Sequence, residues 1–145
     1  METLKHSKHA IGQSAYHIVW RPKYNISVFS REEYRDVAEE AIKFVAKKWK
    51  IEIKVLKVMP NHVHCFAEIP TTMTLSFAIQ ILKGGSAKIF FEKYQIWKNY
   101  FHKGHKKAHL WSPGKFYRSV GCVTEDVVEN YIKNSNDWAN FQKDF

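Results

Sequence analysis

Cysteine is nearly absent: Cys65 and Cys122 are the only two in 145 residues, and both sit in apolar stretches. A disulfide framework is therefore not expected; two buried thiols are, consistent with a reducing compartment. Long apolar runs are missing too. None approaches the roughly 20 residues of a spanning helix, and no signal peptide opens the chain, so a soluble cytoplasmic protein without a membrane partner is expected. Acidic residues are few, 14 against 23 Lys and Arg, for a formal charge of +9 and a pI near 9.5. That balance argues against an acidic-surfaced enzyme of neutral metabolites and points to a polyanion, nucleic acid first. No G-x-x-x-x-G-K-[ST] loop occurs, so no nucleotide cofactor is implied. Internal repeats and low-complexity linkers are also lacking. With 45% hydrophobic residues the chain can bury one core, and residues 1–145 are read as a single domain.

The apolar pattern that remains gives an order of elements. Ser14 to Lys23 is aromatic and β-branched and stops near Pro22, which predicts an opening strand. Ser30-Arg31-Glu32-Glu33 has the form of a capping box, and Tyr34, Val37, Ala41, Ile42, Val45 and Trp49 follow at helical spacing to Lys50. Ile51–Met59 and His62–Ile69 read as adjacent strands joined by a tight turn at Pro60-Asn61. Thr74 can cap a helix whose Leu75, Ile79, Leu82 and Ile89 share a face, with Gly84-Gly85 marking a break or a close backbone approach. Phe116–Val123 predicts another strand, and Thr124 caps a last helix with Glu125 and Asp126 in its first turn. The order βαββαβα fits an α+β fold: a ferredoxin-like (RRM-like) antiparallel sheet with helices on one face and an extra carboxy-terminal helix. Such sheets serve enzymes, RNA binders and metal carriers alike, so function has to come from a site.

Three groups of residues could carry chemistry. In His62-Val63-His64 the side chains alternate, so both imidazoles share one sheet face about 6 to 7 Å apart along the strand. One divalent ion could touch both and keep open positions, as catalytic sites do; surface or hydrogen-bonded histidines are the plainer alternative. From Lys93 to Arg118 there are Lys93, Lys98, Lys103, Lys106, Lys107, Lys115 and Arg118 and no acid. Tyr94, Trp97, Tyr100, Phe101, Trp111, Phe116 and Tyr117 are interleaved, as a groove that tracks phosphates and stacks bases would have them, or as core rings. His102, His105 and His109 in the same stretch match no common zinc spacing. Tyr131, with Asn134 and Ser135 three and four residues on, shares a helical face with a potential ligand, or packs its ring beside Val127, Val128 and Ile132. A phenol, with a pKa near 10, needs a metal or base beside it to attack phosphorus at neutral pH.

Five segments in order, YHIVWRPKY, VMPNHVHCFAEIP, LKGGSAKIF, LWSPGKFYRSVG and VVENYIKN, together resemble the HUH single-tyrosine transposases of the TnpA family. Those proteins belong to small insertion sequences that move as single-stranded DNA. The resemblance implies that His62 and His64 are metal ligands for Mg or Mn and that Tyr131, on the carboxy-terminal helix, is the catalytic nucleophile. It implies DNA contacts from Arg21, Lys23, Lys83, Ser86, Lys88, Lys115 and Arg118, and a flexible joint at Gly121. It further implies hairpin-forming single-stranded element ends as the DNA partner, a homodimer whose tyrosine can act in trans, and a prokaryotic, nucleoid-associated location. Two positions depart from the family pattern. Ser135 stands where a glutamine usually serves as third metal ligand, and serine is shorter and a poorer donor. Asn61 stands where aspartate is common, which keeps a polar side chain and removes a charge.

The implied chemistry is cleavage through a 5′-phosphotyrosine and rejoining by a second 3′-hydroxyl, which needs no ATP because the phosphodiester energy is retained. A non-catalytic single-strand binder on an RRM-like sheet would bind without forming an adduct. A metal-dependent phosphodiesterase would use water and be indifferent to Tyr131. A three-carboxylate transposase would need more room than this chain offers.

Overall fold

The structure, a computed structural model, describes residues 5–6, 11–12, 15–102 and 107–120. A two-residue ladder, β1 (Lys5–His6) with β2 (Ile11–Gly12), precedes the main sheet. That sheet contains β3 (Ala15–Trp20), β4 (Glu52–Met59), β5 (His62–Glu68) and β6 (Phe116–Val120) in the spatial order β4-β5-β3-β6. Every neighbouring pair is antiparallel. With α1 (Glu32–Lys48) after β3 and α2 (Leu75–Lys93) after β5, this is the expected ferredoxin-like α+β order. An additional helix, α3 (Gln95–His102), stands before β6, inside the stretch whose composition suggested a groove.

The strands sort their side chains by the two-residue period. Tyr16, Ile18 and Trp20 of β3 and Val63, Cys65 and Ala67 of β5 join the core with Ala38, Ile42 and Ala46 of α1. Ala78, Ile79, Leu82, Phe90 and Phe91 of α2 and Phe101 of α3 complete it. His17, His62, His64, Phe66 and Glu68 take the other face. The turn between β4 and β5 is Pro60-Asn61, as expected, with Met59 paired to His62, and Pro60 O accepts from Phe29 N at 3.0 Å. Thr74 caps α2 by accepting from Phe77 N at 3.1 Å.

One local expectation is corrected and two open alternatives are decided. Helix α1 starts at Glu32 with Arg31 at its N-cap and no side-chain cap bond; the capping box fails because Ser30 Oγ donates instead to Ser27 O at 3.0 Å. Arg35 Nη1 donates to Phe29 O at 2.8 Å and to Ser30 O at 3.0 Å, tying down the preceding turn. The Gly84-Gly85 pair does not break α2, which runs through it. Close approach is the explanation at Gly85, where an added Cβ would lie 2.7 Å from Val45 Cγ2 of α1. Finally, most rings of the basic segment are structural. Phe101 and Trp111 are buried, and Trp97 and Tyr94 pack on Tyr34 with centroids 5.7 and 4.8 Å away. Tyr100 and Tyr117 remain exposed. The carboxy-terminal helix, with Tyr131, Ser135 and the joint at Gly121, lies outside the described residues, as do Lys103, His105 and Lys106.

Candidate active site and nucleic-acid surface

β5 is flanked by β4 and β3, so its histidines are held by backbone ladders on both sides. His62 Nε2 and His64 Nε2 lie 3.1 Å apart. His62 Nδ1 is 2.9 Å from Asn61 Oδ1, and Asn61 Nδ2 donates to Asn25 Oδ1 at 3.3 Å. That second bond orients the amide so that its oxygen faces the ring. His64 Nδ1 is 2.9 Å from His17 Nε2 on β3. Asn61 Oδ1 can only accept, so His62 carries its hydrogen on Nδ1 and its Nε2 accepts from His64 Nε2. His64 Nδ1 is then an acceptor, and His17 Nε2 donates to it.

All three rings are buried, and burial is the main reason their pKa values fall from 6.5: to about 3 for His17 and to about 4 for His62 and His64. Secondary contributions come from His64 and Arg118 at His17, from His64 at His62, and from Lys57 at His64. The imidazoles are neutral at pH 7, the form in which they bind metals. Two ligands at adjacent corners of an octahedron with bonds of about 2.1 Å lie about 3 Å apart, which the Nε2 pair matches. Among the described residues no cluster of three or more His, Cys, Asp or Glu could hold an ion.

A second feature lies along α2, on the helix side of the sheet: a groove of about 1040 Å³ lined by Lys23, Lys83, Lys88, Lys107, His109 and Lys115, among others, and by no acid. Lys83 Nζ donates to Ser112 O at 2.6 Å and to Gly114 O at 3.2 Å, fixing the groove wall to α2. Burial, then Lys115, lowers its pKa to about 8. Gly84 faces this groove, and an added Cβ there meets nothing within 4 Å.

The residues expected to touch DNA thus divide. Lys23, Lys83, Lys88 and Lys115 meet at the groove. Ser86 does not present its hydroxyl there: it is buried, donates to Lys83 O at 3.1 Å and accepts from Trp111 Nε1 at 3.0 Å. Arg21 is also buried, which lowers its pKa, and its carbonyl accepts from Ser112 N at 2.9 Å. Arg118 is exposed and pairs in register with His17, on the histidine side. The sequence gives no sign of His17 and Asn25 at these positions, because strand register and loop packing bring them in; Lys107, already among the cations of the basic segment, lines the groove with His109.

Residues 10–135 match the family described as IS200-like transposases. The chain belongs to that family. It is 26% identical over 134 residues to the ISDra2 transposase TnpA of Deinococcus radiodurans, covering 92% of each chain. It is 30% identical over 120 residues to the transposase for insertion sequence element IS200 of Salmonella typhimurium, covering 82% of this chain and 74% of that one. A crystal structure from Deinococcus radiodurans R1, described as a transposase, superposes with a TM-score of 0.70 at 25% identity, covering 90% of this chain and 97% of that one. The fold is shared with a REP-associated tyrosine transposase solved bound to a REP hairpin, at a TM-score of 0.55, 18% identity and coverage of 97% and 76%. In this IS200-like transposase the histidine pair occupies the sheet face opposite the helix layer.

Proposed function

We propose that this transposase binds, cleaves and rejoins single-stranded DNA at insertion-sequence ends through a 5′-phosphotyrosine on Tyr131, with a divalent ion at His62 and His64. The observation that carries the reading is the convergence of the two Nε2 atoms at 3.1 Å while both Nδ1 atoms are engaged elsewhere. A pair of surface histidines would not need that arrangement; a hydrogen bond between metal-free rings gives the same spacing, and Mn²⁺ titration separates that from an ion site. Mg or Mn, when bound there, would polarise the scissile phosphate as a Lewis acid. Tyr131 attacks phosphorus through its phenolate oxygen; the P–O3′ bond breaks and the departing oxygen takes up a proton to become a 3′-hydroxyl. A second 3′-hydroxyl then attacks the phosphotyrosine, forms the new phosphodiester and returns the phenol.

The groove beside α2 is the candidate surface for the uncut part of the DNA, hairpin-forming ends included. Its cations neutralise phosphates and steer binding, without themselves specifying bases. Arg118 stands beside His17 on the histidine face and is the candidate cation for a phosphate bound on that face. A homodimer with Tyr131 acting in trans, and a prokaryotic cytoplasmic, nucleoid-associated setting, complete the proposal.

The test incubates the full chain with labelled single-stranded DNA spanning a candidate element end, with Mn²⁺, on a denaturing gel. Wild type should give a DNA–protein adduct that is absent from Tyr131→Phe and from His64→Ala. Full cleavage by Tyr131→Phe would favour water as nucleophile. Binding with no adduct on true element ends would favour a binding module and point to Ser135, where the third ligand is expected.

A further inference from the structure

The hydrogen bond between His17 and His64 links a residue outside the His62-Val63-His64 motif to one of its rings, and it is built rather than incidental. His17 is 0% exposed, and its ring lies flat on Phe66 with centroids 4.2 Å apart and planes at 7°. The ladder pairs His64 with Val19 and Phe66 with His17, so His17 reaches His64 diagonally across two strands. A side chain needed only to fill this space could be wholly apolar; the imidazole adds a nitrogen 2.9 Å from His64 Nδ1.

We propose that His17 is a positioning residue for the metal site: it holds His64 by Nδ1 so that Nε2 is aimed beside that of His62. This rests on the proposed metal reading. A ligand Nε2 carries no hydrogen, so His64 bound to an ion has its hydrogen on Nδ1 and donates it to His17 Nε2. His17 must then carry its own hydrogen on Nδ1. Loading the site therefore reverses the direction of this hydrogen bond and moves the His17 hydrogen from one ring nitrogen to the other, with no change in net protons on the pair. Asn61 Oδ1 accepts from His62 Nδ1 at 2.9 Å and does for that ring what His17 does for His64. Partners of this kind fix the orientation of a ligand ring and raise its basicity.

The experiment titrates Mn²⁺ into the full chain by calorimetry. His17→Phe keeps a flat ring against Phe66 and removes the nitrogen; His17→Gln restores a polar group able to accept from His64. Mn²⁺ affinity is expected to fall about 10- to 100-fold in His17→Phe and less in His17→Gln, the usual range for losing such a partner. Unchanged affinity in His17→Phe overturns the positioning role while leaving the metal reading intact. No Mn²⁺ binding by wild type overturns the metal reading, and this proposal with it. A measurement on wild type alone guards against a variant that does not fold: nitrogen-15 spectra of the Zn²⁺-loaded protein should show His17 Nε2 unprotonated, and a protonated Nε2 would also overturn the proposal.

Discussion

At the scale of single residues, neutral burial of three imidazoles has a measurable price in acid. The folded pKa values are about 3 for His17 and about 4 for His62 and His64, against 6.5 when exposed. Above pH 6.5 both folded and unfolded chains hold these rings neutral, and no pH dependence arises from them. As pH falls from 6.5 towards about 4 the unfolded chain takes up protons that the folded chain refuses, so stability is lost across that window. Melting temperatures of the metal-free chain should fall between pH 7 and pH 4.5, with a shallower fall in His17→Phe; parallel profiles for the two proteins would contradict the assignment. Asn61 offers a second check. Asn61→Asp places a negative charge 2.9 Å from His62 Nδ1 and should tighten Mn²⁺ binding several-fold, read by the same titration. The histidine pair was legible in the sequence because a strand's two-residue alternation is fixed by backbone geometry. His17 was not, because which strands pair, and in what register, is decided by the whole sheet.

Elements are joined by contacts that sequence patterns only half describe. Helix α1 ends in a Schellman arrangement: Ile51 N donates to Ala46 O at 2.9 Å and Lys50 N to Lys47 O at 3.2 Å. Lys50 supplies the left-handed residue at φ 60°, where glycine is the usual choice. Lys50→Gly should stabilise the chain by about 1 kcal/mol in urea denaturation, since the left-handed strain of an L-residue is removed. The two glycines of α2 should part company. Gly85→Ala forces its Cβ against Val45 Cγ2 at 2.7 Å, and Val45 is β-branched and stiff; a loss of about 1–3 kcal/mol is expected. Gly84→Ala meets open space and should gain about 0.5–1 kcal/mol from helix propensity. Equal effects at both positions would refute the close-approach argument. The sequence signalled that the pair mattered, but not which member touched α1. It also suggested a capping box at Ser30, whose hydroxyl turned out to be engaged with Ser27 O, and it gave no sign of α3, since rings that serve the core and rings that stack on bases look alike in composition.

Across the whole molecule, the lysine groove and the histidine pair occupy opposite sides of one sheet, with Arg118 on the histidine side. The groove along α2 gathers Lys23, Lys83, Lys88, Lys107 and Lys115 without an acid, while the histidines face away from the helix layer. Removing an exposed groove cation should therefore weaken DNA binding without touching the metal site. Lys88→Ala and Lys115→Ala should each lower the slope of log affinity against log salt by about 0.7 on single strands, with Mn²⁺ affinity unchanged. Lys83→Ala should do more, because Lys83 also ties α2 to Ser112 O and Gly114 O. The ferredoxin-like order was readable from apolar runs and turns, whereas the groove required the packing of 107–115 against α2, which no local pattern encodes.

The central claim is a covalent link from DNA to Tyr131. Trypsin should release Tyr131 in the peptide of residues 119–133, between Arg118 and Lys133, so mass spectrometry of the nuclease-trimmed adduct can locate the bond. The account predicts a nucleotide on the phenol oxygen of Tyr131 in the presence of Mn²⁺. A nucleotide on another residue, or cleaved DNA carrying ¹⁸O from labelled water at its new 5′-phosphate and no protein link in a single turnover, would contradict it.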